Sequence, residues 1–170
     1  MPLNVTPPPG SLFHLFHRQG EEYVAYSWQN LDVILWLGSA TGPGARSLNQ
    51  LTRTRMREGR KYSAIHTVLA GAGLPDEEGR KELNLQAERS TKSLGCLVAV
   101  IERQGFAGSA IRAFVSGVFA LTAQEAVRRV VASMEDAAAW LPEAHARTTG
   151  VRLDPTELRG VLLGIRALVP

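Results

Sequence analysis

The residues able to do chemistry in this 170-residue chain are few: four histidines, one cysteine and two glycine-rich stretches placed where loops are expected. His14 and His17 would share a face on a helix and point to opposite faces on a strand. A metal needs three or four ligands, and no carboxylate or histidine near this pair supplies the rest. Neither a metal nor any other cofactor is expected. His66 falls in an expected strand and His145 in the polar tail of a helix; both read as partly buried or surface imidazoles. Cys96 opens an apolar strand and reads as a small core residue. A lone cysteine can form no internal disulfide and no cysteine-based metal site.

The stretch 38–47 (Gly-Ser-Ala-Thr-Gly-Pro-Gly-Ala-Arg-Ser) lies between an expected strand and helix, where a phosphate loop would lie. Its glycine spacing is wrong, Pro43 removes a donor, and there is no lysine to reach a phosphate. Gly71-Ala72-Gly73 has the strand-to-helix position of a dinucleotide fingerprint. Its third glycine position is Asp76, which would repel a pyrophosphate at the helix N-terminus. A Gly-x-Ser-x-Gly elbow is missing, and no Cys/His pairing has supporting spacing, so no catalytic residue is assigned.

The elements that must position these residues follow from periodicity. Strands are expected at 12–17, 23–28, 32–37, 62–69, 97–101 and 127–131. Helices are expected from the Gly42-Pro43-Gly44 turn to near Gly59, from Pro75-Asp76 to Leu94 with Gly95 past its end, and over 107–121. Ser133 with Asp136 caps another, carrying Trp140. Asp154, Pro155 and Glu157 start the last, whose apolar stripe is Leu158, Val161, Leu162, Ile165 and Leu168. Strands alternating with helices at this spacing give an α/β fold with a mostly parallel sheet of about four to five strands and an extra C-terminal helix. The expected organisation is a flexible proline-containing N-terminus at 1–10, one α/β domain over 11–149, and an amphipathic helix at 150–170 packed on the domain or a partner.

An apolar fraction of 45% suffices for a core, while a net charge of +3 with 21% charged residues gives no argument for nucleic acid. Residues 1–10 carry no positive charge and resemble no targeting peptide. The apolar stretch 106–121 is short for a membrane span and is interrupted by Gly108, Arg112 and Gly117. A cytoplasmic protein without membrane contact is expected.

Two helices say more. Arg46, Arg53 and Arg57 form a stripe at helical spacing, with Arg60 just beyond, which reads as a solvated face or as a contact for an acidic partner. Arg55 projects among apolar positions, to snorkel at the helix end or to pair with a carboxylate at an interface. The 107–121 helix is apolar nearly all round. Ile111, Phe114, Val115, Val118 and Phe119 are either core or an interface with a partner or a second copy, and Arg112 is the lone charge.

The order of elements, a strand ending Trp36-Leu37-Gly38 and a late helix containing Ala139-Trp140-Leu141 resemble the STAS domain of bacterial anti-sigma-factor antagonists, the SpoIIAA-like fold, over roughly 23–141. The resemblance implies a small non-catalytic interaction module. It also implies a phosphorylatable serine after the 62–69 strand, but the equivalent loop here is Gly71-Ala72-Gly73, with no hydroxyl to modify. The expected function is a non-enzymatic regulatory or scaffold domain that acts through protein contacts without a phospho-switch. The alternative is an apolar-ligand binder with a pocket between the sheet and the 107–121 helix, with Arg112 as polar anchor. An enzyme using His66 or Cys96 near strand ends is the third reading.

Overall fold

The computed structural model of the protein describes residues 14–19, 22–121 and 126–170; the expected N-terminal segment 1–10 lies outside them. Six strands and five helices follow one another as β1 (His14–Gln19), β2 (Tyr23–Trp28), β3 (Leu31–Trp36), α1 (Gly42–Arg57), β4 (Tyr62–Val68), α2 (Glu77–Ser90), β5 (Leu94–Ile101), α3 (Gly105–Leu121), β6 (Val127–Val131), α4 (Met134–Thr149) and α5 (Pro155–Arg166). The strands form one sheet in the order β1-β2-β3-β4-β5-β6. The first three are antiparallel neighbours, and β3 to β6 run parallel. The α/β architecture and the C-terminal helix match the expectation, with β1 at the edge making the sheet six strands wide.

Each parallel strand lies beside the one before it, and such crossovers share one hand. The three crossover helices α1, α2 and α3 therefore fall on the same face of the sheet. The opposite face takes α4 and α5. Alternation along the strands divides the side chains accordingly. Val33, Leu35, Ile65, Val98 and Val100 meet Leu141, Leu158, Leu162 and Ile165 in one continuous buried core. On the crossover face the core is broken into three smaller clusters, around Trp36 and Leu48, around Tyr62 and Leu94, and around Ile101 and Ile111.

Helix starts obey the capping chemistry read from the sequence. Ser133 accepts from the amide of Asp136, and Asp154 from that of Glu157 at 2.8 Å. One boundary differs: α2 ends at Ser90 and Leu94 already opens β5, paired with Tyr62. Gly95 is thus a strand residue, not a helix stop. A Cβ there would lie 2.7 Å from the Thr148 Oγ1, so glycine lets α4 approach β5.

Candidate ligand-binding site

The break in the crossover-face core is a partly open cavity of about 130 Å³, bounded by the sheet, α1, α2 and α3. Ile34, Ala64, His66 and Ala99 form its floor. Ala64 pairs with Leu97 and His66 with Ala99 across β4 and β5, so two alanines leave room where larger strand residues would fill it. Leu83, Gln86, Ala87 and Ser90 line it from one face of α2, at helical spacing. Ile111, Phe114, Val115, Val118 and Phe119 line it from α3.

These five α3 residues are the expected interface, and they face inward. Ile111 is buried against Ala99 and Ile101, and the other four are half-buried. The exposed side of α3 carries Ser109, Ala113, Ser116, Gly117 and Ala120 instead. Arg80 of α2 lies over the Phe114 ring at 5.8 Å, and Arg128 of β6 over Phe119 at 5.7 Å, so a cation flanks both α3 aromatics that line the cavity.

One polar pair is set in this apolar surface. The Trp36 indole N–H donates to His66 Nδ1 at 3.3 Å. An indole nitrogen can only donate, so Nδ1 is unprotonated and the imidazole proton sits on Nε2. Burial pushes the His66 pKa down to about 4, keeping the ring neutral. The surface that His66 leaves accessible belongs to the cavity wall. At the opposite end of the same sheet face lies Asp32, whose two carboxylate oxygens take the Arg55 guanidinium at 2.7–3.0 Å. Arg55 also reaches Ser27, the Gln29 carbonyl and Glu58. The carboxylate that Arg55 meets is thus within the chain, where one at an interface was expected.

The remaining candidates are held elsewhere. Arg112 is outside the cavity lining; its guanidinium donates to the Ile101 and Arg103 carbonyls, each at 3.4 Å. Arg46 pairs with Glu78 and, at 3.8 Å, with Glu82, tying α1 to α2, whereas Arg53, Arg57 and Arg60 are exposed. In the 38–47 loop, the Glu22 carboxylate accepts from the Thr41 amide and hydroxyl at 3.2 and 2.6 Å. A carboxylate thus occupies donors that a phosphate would need. In the Gly71-Ala72-Gly73 loop, Ala72 is buried, its carbonyl accepts from Arg103, and a Cβ on Gly73 would sit 2.6 Å from Ser39 Oγ. Asp76 caps α2 by accepting from Gly79 N.

Cys96 is buried, with its sulfur 3.2 Å from the Thr148 hydroxyl. His145 lies wholly inside, its Nδ1 2.7 Å from Ser63 Oγ and its Nε2 2.9 Å from Asn30 Oδ1. The amide oxygen only accepts, so Nε2 carries the proton and Ser63 donates to Nδ1. Ser63 and His145 are fully buried, Asn30 is half-buried and none of the three lines the cavity, so this Ser–His–Asn chain pins α4 to β4 and the β2–β3 turn. The side chains of His14 and His17 lie outside the described residues. Among those described, no group of three or more His, Cys, Asp or Glu could hold a metal, and no helix is long and apolar enough to cross a membrane.

No protein-family model matches the chain, and no curated protein matches it in sequence.

Proposed function

We propose that the protein is a binding domain for a small apolar molecule, held between the crossover face of the sheet and α3. The cavity over Ala64 and Ala99 carries this reading. Apolar cavities of roughly 150 Å³ stay dry and take up benzene-sized guests, because filling them restores lost dispersion contacts. The order of strands and helices supports keeping the STAS resemblance within the reading. A phospho-switch has no place in it, since the loop after β4 offers no hydroxyl.

The test is NMR-detected binding of benzene and toluene to the protein and to Ala64→Phe and Ala99→Phe. The native chain saturates at millimolar probe and both variants lose binding while retaining dispersed spectra. Equal binding by the variants, or none by the native chain, rejects the proposal.

A regulatory domain acting through protein contacts is supported by one feature, the Phe106 ring at the start of α3, which is 91% exposed. In that reading Phe106→Asp lowers the solution mass of a dimer or abolishes capture of the partner. An unchanged monomer mass for both chains removes the dimer.

A further inference from the structure

We infer that the cavity selects an uncharged, ring-sized molecule carrying one hydrogen-bond acceptor, such as an aryl or alicyclic carbonyl compound, and that His66 Nε2–H is the donor that reads it. The inference rests on the binding-domain proposal and adds the chemical class of the guest.

The argument starts from the Trp36–His66 pair. Because the indole N–H occupies Nδ1, the imidazole has one tautomer, with its only proton on Nε2. Among the described residues Nε2 has no hydrogen-bond partner, and His66 keeps accessible surface on the cavity wall. A lone donor on an apolar wall is the point at which an acceptor on the guest can bond, and a guest without one covers that donor unpaired. Most other polar groups of the lining are already engaged, the exception being the Tyr62 hydroxyl at the Asp32 end. The Gln86 amide donates to Thr52 at 2.6 Å, Ser90 Oγ donates to the Ala87 carbonyl, and Asp32 holds Arg55. Beside His66 Nε2 only the Tyr62 hydroxyl is left as a side-chain donor, and it lies at the far end of the floor, beside Asp32 and Arg55.

Charge is excluded by the same geometry. A carboxylate on the guest would leave water for a single neutral donor, and burying an anion without a counter-charge costs far more than one hydrogen bond returns. The imidazole does not supply that counter-charge near neutral pH, since burial disfavours its protonation. Arg112, the sequence-level choice for an anchor, spends its guanidinium on the carbonyls at the end of β5. Size follows from the volume of about 130 Å³, which suits one ring and a short substituent.

Three probes of one shape separate the possibilities: acetophenone, α-methylstyrene, in which the carbonyl oxygen becomes a methylene, and benzoate. Affinities are measured by NMR titration for the native protein, His66→Leu and His66→Gln. The expected result is that His66→Leu weakens acetophenone about tenfold, as loss of one buried hydrogen bond does, with α-methylstyrene unchanged. His66→Gln, which keeps a donor at the same reach, retains acetophenone to within about threefold. Benzoate binds least. Retained α-methylstyrene binding also shows that His66→Leu is folded. If His66→Leu changes acetophenone and α-methylstyrene alike, or benzoate binds best, the inference is overturned and the cavity proposal stands. If none of the three binds the native chain, the cavity proposal itself fails.

Discussion

A guanidinium drawn into a small domain needs a carboxylate, and Arg55 and Asp32 meet with side chains only 16% and 6% exposed. Removing one partner strands the other charge where water cannot reach it. Arg55→Met is expected to cost about 3 kcal/mol, read as a lowered urea midpoint. Adding Asp32→Asn to that variant removes the stranded charge and recovers part of the loss. The pair packs against the end of the cavity floor, so the single variant also weakens guest binding while the double variant restores it. Gly95 makes a second residue-scale prediction. A methyl group there meets Thr148 Oγ1 at 2.7 Å and Thr149 Cγ2 at 2.9 Å, both on α4. Gly95→Ala therefore destabilises by about 1–3 kcal/mol, the usual cost of overpacking, in thermal or urea melts. A glycine serving only as a helix stop would show no such coupling to α4.

Helices α3 and α4 occupy opposite faces of the sheet and are packed very differently. Met134, Ala137, Ala138, Leu141 and Ala144 of α4 all enter the continuous core, whereas among the described side chains of α3 Ile111 is the one large one that is buried. Local opening follows the density of buried contacts. Amides of α3 are accordingly expected to exchange with deuterium faster than those of α4, and a saturating guest slows α3 selectively; equal protection of the two helices contradicts this picture. The sequence makes α3 legible as a helix and hides its orientation. Its polar/apolar pattern is nearly uniform, but side-chain size is not. Ile111, Phe114, Val115, Val118 and Phe119 share one face, and Ser109, Ala113, Ser116 and Ala120 the other. Read by size, the stripe points at the sheet. Alternation also placed Tyr62, Ala64, His66 and Val68 on one face of β4. What it could not supply was register: Trp36 meets His66 only because Ile34 pairs with His66 and Trp36 with Val68 across β3 and β4. The Ser63–His145 contact spans 82 residues and joins a strand to a late helix, so no local signal announces it.

At the scale of the whole molecule, each face of the sheet holds a neutral imidazole, His66 half-buried on the crossover face and His145 fully buried on the α4 face. Burial lowers each pKa to about 4 from an ordinary 6.5. Above pH 6.5 the folded and unfolded chains are equally unprotonated at these sites, and the stability they affect does not vary with pH. Below it the unfolded chain takes up protons that the folded chain refuses, so stability falls as pH falls, and the fall levels off only below pH 4. Between pH 6 and pH 5 the pair removes about 2 kcal/mol, a large share of a typical domain's margin. Urea denaturation at pH 7, 6 and 5 checks the slope. His66→Gln and His145→Gln should each take away about half of it, and the two together should leave a nearly flat profile over that interval. The two halves separate when a guest is present. Protonation adds at Nδ1 and leaves Nε2–H a donor, so an uncharged acceptor bound there bonds the charged ring more strongly than the neutral one and shrinks the His66 half of the slope. The His145 contribution stays unchanged, because the cavity and the Ser63–His145–Asn30 chain lie on opposite faces of the sheet. A guest that leaves the His66 half of the slope untouched does not engage the Nε2 proton.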